Sequence, residues 1–195
     1  MATTTETAGS TRRDKPAPSQ RLLDTATALF SRYGIRAVGI DRVLAEAGVA
    51  RASLYQGFGS KDGLIQAYLE HLDRRDRTRW NEAVATVHDP AEKVLTFFDL
   101  ALASAPTKGF RGCQYANAAT EFPDQILEPV AAHRRWLFET LVELLREAGS
   151  TDPDPLARRI QLLYDGALSG SKFEHSLEPL RTGRTLAAQL IAQSN

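Results

Sequence analysis

The chain has 195 residues, 43% hydrophobic and 25% charged, the balance of a globular protein of one or two small domains rather than a disordered one. Its 24 basic and 24 acidic residues cancel, which excludes a uniformly basic nucleic-acid coat but not a local basic patch. One cysteine, Cys113, excludes an intramolecular disulfide framework, and no apolar run is long enough to span a membrane. The Thr-rich start lacks the apolar segment of a secretory signal, so the expectation is a soluble, cytoplasmic protein.

Residues 1–18 carry no large apolar side chain and read as a flexible arm holding Arg12, Arg13 and Lys15. Leu22, Leu23, Ala26, Leu29, Phe30 and Tyr33 then repeat at helical spacing, and Gly34 stands where the helix should stop. Ile40–Ala47 and Arg51–Phe58 read as two short helices joined by a turn at Gly48-Val49, a helix-turn-helix. Ser60 caps a longer helix with Leu64, Ile65, Tyr68, Leu69 and Leu72 on its buried stripe, running to about residue 80. Its far end, Asp73 to Arg79, alternates charge and reads as a solvated face.

The second region, 81–195, is also helical. One helix runs from Ala91 to Ala105, stopped near Pro106, and a loop follows through Lys108 and Gly112. Cys113–Phe122 reads as a short helix and Ile126–Ala148 as a long one. Pro155 opens a helix to about His175. Leu177–Ala192 forms the last, interrupted by Pro179 and Gly183. No segment shows sustained strand alternation, so the class is all-α, about nine helices, with a helix-turn-helix domain over 19–65 and a helical bundle behind it.

Enzyme signatures are absent. Gly57, Gly59 and Gly63 have the wrong spacing for a dinucleotide loop and no preceding strand, and read as caps around a helix junction. Ser169 is one place late for a nucleophile elbow in Gly166–Gly170. His71, His88, His133 and His175 share no metal-ligand spacing, so no metal and no cofactor are expected.

Charge is uneven: residues 1–61 hold nine basic and five acidic groups, a net +4 balanced by −4 elsewhere. Arg51, Ala52, Ser53, Tyr55 and Gln56 surround Leu54 on the second short helix, which suits a major groove about 12 Å wide. Lys61 opens the next helix, where a cation and an N-terminus both favour phosphate. The order Leu29-Phe30…Gly34, Ala47-Gly48-Val49, Leu54-Tyr55-Gln56-Gly57-Phe58 and Ser60-Lys61-Asp62-Gly63-Leu64 resembles the DNA-binding domain of TetR-type repressors over residues 21–65. The resemblance implies base contacts by Arg51, Ala52, Ser53 and Gln56, and phosphate contacts by Tyr55 and Lys61. It also implies a homodimer on a double-stranded DNA operator and an unidentified small-molecule effector in the C-terminal bundle; with no apolar run long enough to span, no membrane partner is expected. Gly39, Leu44 and Gly57 depart from the family pattern, so no phosphate contact is carried to positions 39 and 57.

In the C-terminal region the reading is less sharp. Phe97, Phe98, Tyr115, Trp136, Phe138, Tyr164 and Phe173 supply aromatic area for core or pocket wall. Cys113, Asn117 and Glu121 share one helix face with Thr120, a polar stripe that either lines a cavity or faces solvent. Phe98, Cys113, Asn117, Trp136 and Tyr164 are the candidate effector residues. Cys113 follows Arg111 and opens a helix, which favours thiolate, against its plainer reading as a small buried residue. Leu156, Ile160, Leu163, Tyr164, Ala167 and Leu168, with Leu177, Leu180, Leu186, Leu190 and Ile191, form two apolar faces suited to a four-helix dimer interface. The rival class is an α-helical small-molecule-binding module or enzyme whose basic N-terminal segment is incidental.

Overall fold

The computed structural model describes residues 16–105 and 110–194. Nine helices, and no strand, occur among these described residues: α1 Pro18–Tyr33, α2 Ile40–Ala47, α3 Arg51–Phe58, α4 Lys61–Val84, α5 Pro90–Ser104, α6 Gln114–Glu121, α7 Glu128–Glu147, α8 Pro153–Glu174 and α9 Glu178–Ala192. The arm assigned to 1–18 lies outside the described residues up to 15, and Pro18 is already helical, a first-turn proline that gives up no hydrogen bond. Pro106, Lys108 and Gly109, read as a helix stop and a loop, also lie outside them.

Two cores meet along α4. The first gathers Leu22, Phe30, Val43, Leu54, Leu64 and Tyr68 from α1–α4, with Tyr115, Ala118 and Val130 from the second region. The second gathers apolar side chains of α5, α7, α8 and α9, among them Phe98, Leu145, Ile160 and Leu180. Helix α4 is 24 residues long, about 36 Å, and reaches beyond the stop expected near residue 80.

Glycines make the junctions close. Gly63 sits where a Cβ would fall 1.9 Å from the Phe58 carbonyl oxygen, so α4 starts hard against the end of α3. Gly183 does not interrupt α9. A Cβ there would lie 2.9 Å from Ala167 Cβ and 3.1 Å from Phe98, so this glycine lets α9 approach α8 and α5. Pro179 likewise sits in the first turn of α9 and starts the helix instead of breaking it.

Several expectations shift. Helix α7 begins at Glu128, leaving Ile126 exposed in the preceding loop, and α8 begins two residues early at Pro153. Phe173 is exposed rather than packed. Most of the expected partner-facing residues turn inward: Leu156, Ile160, Ala167, Leu168, Leu180 and Ile191 are buried in the chain's own core. The outward faces of α8 and α9 instead show Leu162, 70% exposed, and Leu186, 41% exposed, beside a shallow groove lined by Arg159, Leu163 and Leu190.

Candidate functional site

The two short helices are set by their turn. Gly48 takes the left-handed conformation (φ +62°, ψ +44°) that ends α2, and its N–H bonds back to the carbonyls of Ala45 and Leu44. Val49 and Ala50 then lead into α3, which buries Leu54 and exposes Arg51, Ala52, Tyr55 and Gln56, with Ser53 half-buried. The Tyr55 ring is 57% exposed, so it is no part of the core. Arg51 is ion-paired with Asp41 of α2, and both side chains stay open to solvent. Arg21 stitches the turn from below, donating to the carbonyls of Ala47 and Gly48, each at 3.3 Å, and to Pro16 at 2.9 Å.

Lys61 is drawn inward. Its Nζ donates to the carbonyls of Val38 at 2.8 Å and Ile35 at 3.4 Å, closing the loop between α1 and α2. Gly57 brings α3 near the start of α1, where a Cβ would lie 3.3 Å from Ser19 Cβ; a larger side chain there must displace Ser19.

Behind this unit lies a cavity of about 960 Å³. It is walled by Trp80, Phe97, Trp136, Leu137, Tyr164 and Leu168, and by Ala28, Ser31, Arg32 and Tyr33 of α1. Trp80 and Phe97 stack at 5.3 Å between ring centroids, and Trp136 meets both edge-on at 6.1 and 5.8 Å. Of the five candidate effector residues, Cys113, Trp136 and Tyr164 line the cavity. Phe98 does not: it is fully buried behind the wall, its ring edge-on to Tyr164 at 5.2 Å. Asn117 does not either, because its amide donates to the Arg111 carbonyl at 2.9 Å and accepts from Lys172 Nζ at 3.0 Å.

The polar stripe of α6 therefore neither lines the cavity as a whole nor simply faces water. Its last residue, Glu121, accepts from the backbone N–H groups of Ile35 at 3.2 Å and Arg36 at 2.6 Å, which ties α6 to the loop after α1. The Asp73–Arg79 segment is likewise not a plain solvated face. Asp73 accepts from Arg77 Nε and pairs with His133 Nδ1, both at 2.8 Å, and Asp76 accepts from the Tyr115 hydroxyl at 2.9 Å. Tyr115 and His133 stack at 3.8 Å. Burial pulls the His133 pKa below its ordinary 6.5, against the raising effect of the Asp73 carboxylate, so Nδ1–H donates from a neutral ring. No cluster of three metal-ligating side chains occurs among the described residues.

Cys113 caps α6, its Sγ accepting from Ala116 N–H at 3.4 Å. The thiol pKa is raised by burial, opposite to the shift expected from Arg111 and the helix start. Arg111 turns instead toward Gly34, where a Cβ would lie 3.4 Å from its Nη2.

Residues 22–68 match the family of bacterial regulatory proteins, tetR family. The chain is 34% identical to SCO4454, a TetR-family transcriptional regulator from Streptomyces coelicolor, and superposes on its crystal structure with a TM-score of 0.84, over 91% of this chain and 95% of that one. The chain belongs to the TetR family of transcriptional regulators. Transcriptional regulator AcuR of Cereibacter sphaeroides is 27% identical over 193 residues, 90% of this chain and 86% of that protein. An uncharacterized HTH-type transcriptional regulator of Mycobacterium tuberculosis, Rv1255c, is 35% identical over 77 residues, 40% of this chain. The match spans only 38% of that relative's length.

In this TetR-family chain, sequence reasoning missed Arg21, Asp73, Asp76, His133 and the tie made by Glu121. Their partners lie up to 86 residues away, and side-chain type alone carries no signal of such a pairing. Glu121 at the end of a helix beside a proline was visible as a polar position, but not as a cap for another element.

Proposed function

We propose that this chain is a ligand-responsive repressor that binds a palindromic operator as a homodimer and leaves it when a small molecule fills the cavity. The observation that carries this reading is the cavity wall: Ala28, Ser31, Arg32 and Tyr33 belong to α1 of the DNA-binding unit, while the rest comes from α4 to α8. A molecule held there touches both units at once. It has the differential contact with two arrangements that any switch requires.

In this reading the dimer sets two α3 helices at the spacing of successive major grooves, roughly 34–36 Å. Arg51, Ala52, Ser53 and Gln56 face bases, and Tyr55 and Lys61 face phosphates. The exposed Leu162 and Leu186 supply the two-fold contact. The effector moves α4 and α6, and the Glu121 tie to the α1–α2 loop passes that movement on.

The test is footprinting and fluorescence anisotropy on DNA upstream of the gene. Binding should weaken steeply with salt, as phosphate-led binding does. Arg51→Ala or Gln56→Ala should lower affinity by about 1–3 kcal/mol per lost base contact. Salt-independent binding, or a footprint insensitive to both substitutions, would count against the reading.

A further inference from the structure

The charges around the cavity are unbalanced. Four arginines reach its lining: Arg32 from α1, Arg75 and Arg79 from α4, and Arg111 just before α6. Asp76 is the one carboxylate among the described lining residues. Both its oxygens are occupied, Oδ1 by the Arg75 guanidinium at 3.0 and 3.1 Å and Oδ2 by the Tyr115 hydroxyl. Arg79, one turn further along α4, makes no ion pair among the described residues, and neither do Arg32 and Arg111. Such an excess of cations in a concave, partly dry site focuses a positive potential on whatever enters it.

The uncommitted hydrogen-bonding groups point the same way. Trp80 Nε1 is buried without a partner, and an indole N–H can only donate. The Tyr164 hydroxyl lines the cavity with no hydrogen bond among the described residues, within reach of the charges of Asp76, Asp165 and Arg79. Arg79 and the Tyr164 hydroxyl therefore border one space, with the sealed Trp80 indole N–H in the wall beside them. Against them the lining sets only neutral side-chain acceptors apart from Asp76: Nε2 of His133, the Gln114 amide oxygen and the Ser31, Tyr33 and Ser104 hydroxyls. The unpaired guanidinium groups thus call for a ligand that brings acceptor oxygens.

Part of the lining is apolar. Phe97 and Ala101 from α5, Trp136 and Leu137 from α7 and Leu168 from α8 offer only aromatic and aliphatic surface apart from the Trp136 indole N–H. Cations thus come from α1, α4 and the segment before α6, and apolar surface from the bundle behind.

We propose that the cavity takes an amphiphilic carboxylate, its anionic oxygens held by Arg79 and Tyr164 and its flat apolar body set against Phe97 and Trp136. This rests on the cavity being the effector site. A carboxylate drawn toward Arg79 pulls on α4, which also carries the Asp73 and Asp76 anchors of α6 and α7.

The probes are 2-naphthoate and its neutral counterpart 2-naphthamide, titrated into the full chain by calorimetry at fixed ionic strength. The carboxylate should bind at least tenfold tighter than the amide. Arg79→Met should cut naphthoate affinity by tenfold or more and leave the amide within about twofold, while Arg79→Lys retains part of the preference. Thermal melting of each variant establishes that it is folded. Equal or tighter binding of the amide, an unchanged preference in Arg79→Met, or no binding of either probe would overturn the assignment. Operator release is measured separately by anisotropy. Naphthoate binding with the expected preference but no release supports the ligand class and counts against the proposed regulation. Release by the amide as readily as by naphthoate supports the regulation and overturns the ligand class.

Discussion

The Glu121 carboxylate at the end of α6 accepts a 2.6 Å hydrogen bond from the backbone N–H of Arg36, in the loop after α1. Its other oxygen takes the N–H of Ile35, and the Arg36 guanidinium lies 5.2 Å over the Phe122 ring beside it. One side chain thus satisfies two backbone donors of another element, the loop between α1 and α2.

Glu121→Ala should therefore do two things. It should destabilise the fold by about 1–3 kcal/mol, the cost of leaving donors to a charged acceptor unmet. It should also weaken the influence of a bound ligand on operator affinity while leaving ligand affinity nearly unchanged. Urea unfolding and paired ligand and DNA titrations check both parts. Full ligand response in the variant would mean that coupling runs through α4 alone.

Lys61 has a double assignment. In the structure its ammonium closes the α1–α2 loop on the Val38 carbonyl, and in the complex it is proposed to meet phosphate. We expect Lys61→Ala to flatten the salt dependence of DNA binding by about one unit and weaken all sequences alike. It should also lower stability by about 1 kcal/mol through the lost carbonyl contacts. A changed sequence preference with an unchanged salt slope would remove the phosphate role.

His133 gives the protein an acid-sensitive joint. Burial holds its folded pKa below the ordinary 6.5. Above that value both folded and unfolded chains leave the ring neutral, so it contributes no slope. As pH falls through 6.5 the unfolded chain takes a proton and the folded one resists, so stability drops until the folded pKa is reached. The slope from this one group is at most about 1.4 kcal/mol per pH unit. Equilibrium unfolding of the wild type between pH 7.5 and 5, as a roughly chosen window, should show it, and His133→Asn should lack it.

How much of this was legible beforehand depends on the range of the interaction. The bounds of α2 and α3 follow from apolar spacing and from Gly48, which are local signals, and the structure places them at the expected residues. The outward face of α3 is read the same way, because one buried Leu54 fixes which neighbours face outward. The charged run after Leu72 misleads, since alternating charge at helical spacing looks the same whether α7 packs over it or water does. Gly183 misleads for the related reason that a glycine which permits close packing and one which breaks a helix are the same residue. The inward turn of Leu156 and Ile160 was equally hidden: a helix with apolar residues on more than one side does not say which side meets its own chain.

Cys113 should behave as a packed, slow thiol. Its pKa is raised by burial, and the Arg111 guanidinium lies beside Gly34. Labelling of the folded protein with a thiol reagent should be slow at pH 7 and should accelerate only above the free thiol value of about 8.5. Cys113→Ser should leave operator affinity unchanged. Rapid labelling near neutral pH, with DNA release in parallel, would restore the thiolate reading.

The dimer proposal rests on a smaller surface than the sequence suggested. Leu162 and Leu186 stand exposed on α8 and α9 beside Leu190, which packs partly against the core, and neither exposed leucine belongs to that core. Charged replacements there should therefore spare the fold and break the assembly. We expect the wild type to sediment as a dimer at micromolar concentration, and Leu162→Asp with Leu186→Asp to sediment as a monomer of unchanged helical content. Separating the protomers also separates the two α3 helices, so the second half-site no longer binds at a high effective concentration. Operator affinity should then fall about 10²-fold or more, while ligand affinity in the cavity persists. A wild-type monomer at that concentration, or a double variant that stays dimeric, would place the two-fold contact elsewhere or remove it.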